Sequence, residues 1–93
     1  MSKYTVEMFG IPYSISGVRQ VEFELDNGAK LTDIIGALKR EAPALEGEVI
    51  IPGTNYLNEG FTFNINGRFY IDDRDLTLKE GDKIILLTLA TIG

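Results

Sequence analysis

The sequence predicts an α+β domain: a mixed sheet of four to five strands with one main helix packed on one face. Three observations lead there. Apolar side chains alternate with polar ones in residues 4–9, 18–25 and 61–65, the period of half-buried strands. They recur at helical spacing in residues 31–42. The last run, Ile84 to Leu89, is apolar on both sides, the pattern of a strand covered above and below.

In the first segment Tyr4, Val6 and Met8 share one side, with Thr5 and Glu7 on the other, until Gly10 and Pro12 break the strand. After a turn around Ser16-Gly17 the second strand, Val18 to Leu25, turns Val21, Phe23 and Leu25 inward. Gln20, Glu22 and Glu24 face outward, which suits an edge strand, and Asp26-Asn27-Gly28 ends it. The helix follows. Leu31, Ile34, Ile35 and Leu38 fall at i, i+3, i+4 and i+7, and Ala42 extends the stripe. Thr32 is the expected N-cap, Asp33 lies at the positive end of the dipole, Lys39 and Arg40 at the negative end, and Pro43 stops the helix.

Residues 44–60 read as a long surface connection, punctuated by glycine, proline and asparagine around one apolar island, Val49-Ile50-Ile51. Phe61 to Ile65 then alternates into Asn66-Gly67, a strong hairpin signal because both residues tolerate the positive φ of a type I′ turn. Residues 68–71 pair back. The cluster Asp72-Asp73-Arg74-Asp75 lacks the glycine and distant glutamate of a calcium loop and reads as a solvated acidic turn. A second turn at Glu80-Gly81-Asp82 leads into the last strand, residues 83–91. The helix covers one face of that strand, leaving either the long connection or a partner protein to cover the other.

The chain of 93 residues fits one domain, 1–93, with residues 89–93 as a C-terminal tail. Side-chain catalysis is poorly supplied: cysteine and histidine are both absent, which removes disulfides, thiolate nucleophiles, imidazole bases and the usual transition-metal ligands. The residues contain no phosphate loop and no nucleophile–base set, so an independent enzyme is not expected. The absence of disulfide staples favours a reducing, cytoplasmic setting. No apolar run approaches membrane-spanning length. With 9 basic and 14 acidic residues, a charge of −5, the chain suits a basic protein surface rather than nucleic acid.

Two strands, a helix, then returning strands, with the last and most apolar strand at the centre beside the first, is the β-grasp order. Phe63-Asn64-Ile65-Asn66-Gly67-Arg68, then Asp75 and the run Leu76 to Leu87 with Leu78-x-x-Gly81-Asp82-x-Ile84, resembles the MoaD/ThiS family of ubiquitin-like sulfur carriers. The likeness extends to Phe9, Gly17, Val21-Glu22-Phe23 and the helix opening Leu31-Thr32-Asp33-Ile34-Ile35. It is strongest towards the small subunit of molybdopterin synthase, and it lies in the joint order of turns, each of which is common alone.

The resemblance implies that the reagent is the carboxyl terminus. A ubiquitin-activating-type enzyme would adenylate Gly93 with ATP, sulfur would displace AMP to give a thiocarboxylate, and the tail would enter a synthase large subunit or another sulfur acceptor. ATP belongs to the activating partner; no cofactor is bound by the carrier. On this reading Gly93 is the reactive residue, and Leu86, Leu87, Leu89, Ala90, Thr91 and Ile92 are the partner-binding residues. Molybdopterin synthesis is the leading pathway, with thiazole and cysteine synthesis as others. Arg68, Arg74, Lys79 and Lys83 are either solvated or paired with acidic groups of the activating enzyme.

The tail departs from the family. Carriers usually end in Gly-Gly, whereas this chain has Ile92-Gly93, and β-branched isoleucine adds bulk and disfavours positive φ. A non-catalytic β-grasp interaction subunit that has lost the tail chemistry is the alternative.

Overall fold

The computed structural model describes residues 1–70 and 76–89. The elements are β1 (Ser2–Met8), α1 (Ile11–Ser16), β2 (Gln20–Leu25), α2 (Leu31–Glu41), a 3₁₀ turn (Pro43–Leu45), β3 (Phe61–Ile65), β4 (Arg68–Tyr70) and β5 (Ile84–Thr88). The sheet order is β2-β1-β5-β3-β4, with β1 and β5 parallel and every other pair antiparallel. This is the β-grasp arrangement: the last strand is central and β2 is an edge.

Register joins the inward side chains into one layer. Tyr4 opposes Phe23, Val6 opposes Ile84, Met8 and Phe63 flank Leu86, and Ile65 opposes Ile84. Every one of these is buried, as are Leu31, Ile34, Ile35, Ala37 and Leu38 of α2, so sheet and helix close one apolar core. The Tyr4 hydroxyl, inside that core, donates to Leu78 O at 3.2 Å and accepts from Ala29 N–H at 3.3 Å, which satisfies a polar group that burial alone would penalise.

Four expectations need correction. Residues 11–16 form a short helix rather than a turn: Pro12 sits in the first turn, where its missing N–H costs nothing, and Gly17 closes the helix at φ 76°, donating to Tyr13 O at 2.8 Å. β2 accordingly starts at Gln20, and Val18 is exposed. Thr32 is not the N-cap. α2 begins at Leu31, so Lys30 takes the cap position, and the Asp33 carboxylate accepts the Lys30 backbone N–H at 3.0 Å.

The fourth correction is the largest. The 44–60 connection is partly core: Leu45, Val49 and Ile50 are fully buried. Its own backbone supports this, with Val49 N–H and Ile50 N–H donating to Leu45 O at 3.0 Å and Asn58 N–H to Val49 O at 2.8 Å. The connection packs against α2, where Lys39 Nζ donates to Thr54 O at 2.8 Å and lies 3.8 Å from Glu46 Oε2. Gly36 makes room for this contact, since a Cβ there would stand 2.9 Å from Asn55 Nδ2. The connection thus covers the helical side, and the opposite face of β5 keeps only half-buried Ile85 and Leu87.

Candidate functional site

The candidate site is the end of β5 and the chain that leaves it. Two ladders hold that strand, Glu7 and Met8 of β1 against Ile85 and Leu86, and Phe61 to Ile65 of β3 against Thr88 to Ile84. Both ladders continue past the strands: Phe9 N–H donates to Leu86 O at 3.0 Å, and Leu89 N–H donates to Gly60 O at 2.6 Å. The root of the tail is therefore hydrogen-bonded through residue 89.

The structure separates the expected partner-binding residues by strand alternation. Leu86 points into the core and is fully buried between Met8 and Phe63, so it is a packing residue rather than a contact residue. Leu87, on the other face, is half-buried, and Leu89 is 37% exposed. Ala90, Thr91, Ile92 and Gly93 lie outside the described residues, as does the Asp72–Asp75 cluster.

Sequence reasoning missed the role of α1. It follows β1 directly, and because β1 and β5 are parallel it stands at the end of the sheet from which the tail departs. Phe9, Ile11, Tyr13 and Val18 expose large apolar surface around it, and the Arg19 guanidinium lies 5.7 Å from the centre of the Tyr13 ring. A shallow depression of ≈ 390 Å³ lies between Phe9, Gly10, Tyr13, Arg19 and Gln20. The signal was present: Gly10 and Gly17 bracket a segment with proline at its start, which is a helix as readily as a turn.

The turn expected at Glu80-Gly81-Asp82 carries a hydrogen-bond network to the Asn66-Gly67 hairpin. Asn66 Nδ2 donates to Asp82 Oδ1 at 3.0 Å, Lys83 N–H to Asn66 Oδ1 at 2.9 Å, and Lys79 N–H to Asp82 Oδ2 at 2.8 Å. Asn66 keeps the left-handed φ of 53° expected of its hairpin. The two signature turns are thus one clasped unit at the opposite end of β5.

Among the described residues no group of three or more acidic side chains could hold a metal ion, and no helix is long and apolar enough to cross a membrane. What the arrangement offers chemically is a rigid handle. It fixes the chain in extended form as far as residue 89.

The ThiS family's sequence model matches residues 6–91. No curated protein matches the sequence. Among solved structures, the chain is similar to small archaeal modifier protein 1 (SAMP1) from Haloferax volcanii, at 23% identity and TM-score 0.83, covering 99% of this chain and 100% of that one. It is similar to a putative molybdopterin converting factor subunit 1 from Pyrococcus furiosus, at 24% identity and TM-score 0.72, covering 97% and 100%. Urm1 from Sulfolobus solfataricus superposes with TM-score 0.64 at 20% identity, covering 91% and 99%.

Proposed function

Given that the chain belongs to the ThiS family of ubiquitin-like sulfur carriers, we propose that it carries sulfur as a thiocarboxylate on Gly93, formed with a ubiquitin-activating-type adenylating enzyme in a reducing, cytoplasmic setting. The observation that carries this reading is the 2.6 Å bond from Leu89 N–H to Gly60 O, which roots the tail at the end of the central strand. Four residues follow Leu89 to Gly93, and fully extended they span at most about 14 Å. A domain that holds the chain by hydrogen bonds as far as residue 89 suits presentation of Gly93 to a partner's active site.

In the proposed reaction a Gly93 carboxylate oxygen attacks the α-phosphorus of ATP and pyrophosphate leaves. Hydrosulfide then attacks the acyl carbon and AMP leaves, giving the thiocarboxylate. None of these steps asks for an imidazole or thiol on the carrier, consistent with a chain that has neither. An acceptor such as a synthase large subunit takes the sulfur. Molybdopterin assembly is the favoured destination, supported by the resemblance to the Pyrococcus subunit; thiazole and cysteine synthesis use the same chemistry.

Incubation with the cognate adenylating enzyme, ATP and a sulfide source should replace one oxygen by one sulfur in the intact mass, with pyrophosphate released. A chain that is never adenylated refutes the reading. Ile92 favours a second reading, an interaction subunit without tail chemistry, because it fills a position that the family keeps bare. Ile92→Gly separates the two: under the carrier reading wild type and variant are both adenylated, whereas under the second reading the wild type is inert.

A further inference from the structure

Glycine follows asparagine at two places in the chain, Asn27-Gly28 after β2 and Asn66-Gly67 between β3 and β4. Both pairs are exposed, and both glycines have positive φ, 78° and 90°. The dipeptide is chemically labile because glycine has no Cβ to keep its backbone nitrogen away from the preceding side chain. That nitrogen, its proton passing to solvent base, attacks the asparagine Cγ. A C–N bond forms, the Cγ–Nδ2 bond breaks, and ammonia leaves with a proton taken from water. Water then opens the cyclic imide at either carbonyl. The product is an aspartyl residue or an isoaspartyl residue, the latter with an additional methylene in the backbone.

The attack requires the asparagine side chain to fold over its own C-terminal peptide, and the two sites differ in what opposes this. Asn66 Nδ2 donates to Asp82 Oδ1 at 3.0 Å and Asn66 Oδ1 accepts Lys83 N–H at 2.9 Å, which ties the side chain to the other turn. The nucleophile there is held as well, since Gly67 N–H donates to Asn64 Oδ1 at 3.0 Å. At Asn27 the amide has a single contact, the Ser2 hydroxyl donating to Oδ1, and both residues are exposed. Among the described residues neither Asn27 Nδ2 nor Gly28 N–H has a partner. A donor on the amide oxygen is common to both sites. What Asn27 lacks is a hold on the nitrogen that leaves and on the nitrogen that attacks.

We propose that Asn27-Gly28 is a modification site at which the folded chain deamidates spontaneously, and that the clasp between the hairpin and Asp82 keeps Asn66-Gly67 intact. The consequence reaches beyond a surface charge. Ala29 follows directly, its N–H donating to the Tyr4 hydroxyl at 3.3 Å and its carbonyl accepting Leu78 N–H at 2.7 Å. The methylene inserted by the isoaspartyl form therefore pushes on a contact inside the core. The new carboxylate also joins Asp26 and Asp33 around the ≈ 270 Å³ depression that Asn27 lines with Arg40. Asn27 lies just past the Ser2–Leu25 end of the β1–β2 ladder, opposite the end from which the tail departs. Deamidation thus weakens the fold without touching the tail.

The test follows the purified full chain through incubation at mildly alkaline pH, folded and in urea, with tryptic peptides mapped by mass spectrometry against an unincubated control. Residues 20–30 and 41–68 fall in separate peptides, so the two sites are read independently. In the folded chain Asn27 should deamidate about tenfold or more faster than Asn66, because more hydrogen bonds must open at Asn66 before it can react. In urea the two rates should converge. Asn27→Gln should remove the acidic species that accumulates on isoelectric focusing. Asp82→Ala should raise the Asn66 rate severalfold and leave the Asn27 rate unchanged, which separates release of the clasp from unfolding of the whole chain. The isoaspartyl form should unfold at a lower denaturant concentration than the unmodified chain. Equal rates at the two sites in the folded chain, faster reaction at Asn66, or a difference that persists in urea would overturn the proposal. A folded Asp82→Ala chain with Asn66 as slow as in the wild type would overturn the protective role of the clasp.

Discussion

Leu89 donates its backbone N–H to the Gly60 carbonyl at 2.6 Å, one rung beyond the Phe61–Thr88 pair that ends the β3–β5 ladder. The bond sets where the handle stops and the arm begins. Leu89→Pro deletes the donor while leaving Thr88 in the extended region that proline favours in its predecessor. The variant should fold and lose about 1 kcal/mol in denaturant unfolding. In the wild type, hydrogen exchange should show the Leu89 amide protected; rapid exchange there would place the root of the arm earlier in the chain.

A charge at residue 86 and a charge at residue 87 should have opposite consequences. Leu86 is fully buried among Met8 and Phe63, so Leu86→Asp places an unpaired carboxylate in the core and should cost about 4 kcal/mol or more, enough to unfold a small domain. Leu87→Asp alters a half-buried position on the open face and should leave a folded chain with weakened partner binding. Circular dichroism with thermal unfolding distinguishes them, and two unfolded variants would contradict the assignment of faces.

The Asn66–Asp82 contact makes a prediction about two turns at once. Asn66→Ala removes both side-chain bonds and places a residue with a Cβ but no compensating amide at φ 53°, so it should cost about 2 kcal/mol. Asp82→Ala breaks the bonds to Asn66 and to Lys79 N–H and should cost about 1 to 2 kcal/mol. In a double-mutant cycle the pair should couple by about 0.5 to 1.5 kcal/mol. Strict additivity would mean that the turns form independently.

What the sequence disclosed and what it hid divide along physical lines. Alternation in β1 to β3, the stripe Leu31–Ile34–Ile35–Leu38 and the two-sided apolarity of β5 depend on local periodicity, and they placed the strands, the helix and the central position of β5. The clasp between Asn66 and Asp82 joins residues sixteen apart, so no local pattern announces it, although both turns were legible. The 44–60 segment was misjudged because Leu45, Val49 and Ile50 are buried through 3₁₀ and bridge contacts with no regular period. Gly36 is similar. Glycine inside a helix costs about 1 kcal/mol relative to alanine, and the approach of the Asn55 side chain to Gly36 is visible only in the folded chain. Of the site, the proposed reactive end rests on family likeness, whereas the burial of Leu86 and the apolar surface around α1 required the sheet register.

Thr88, the last residue of β5, holds a side-chain oxygen that is buried and without a hydrogen-bond partner among the described residues. Burying a hydroxyl unsatisfied costs about 1 to 3 kcal/mol, and replacing it by a methyl of the same shape recovers much of that. Valine also suits a strand, being β-branched like threonine, so the backbone at this rung should not move. Thr88→Val should therefore raise stability by about 1 kcal/mol, read as a higher denaturant midpoint with an unchanged slope. Its effect on sulfur loading adds a second measurement. If the hydroxyl only packs, loading is unchanged; if stability rises while loading falls, the orphan oxygen is kept for a contact made when the arm is held by its partner.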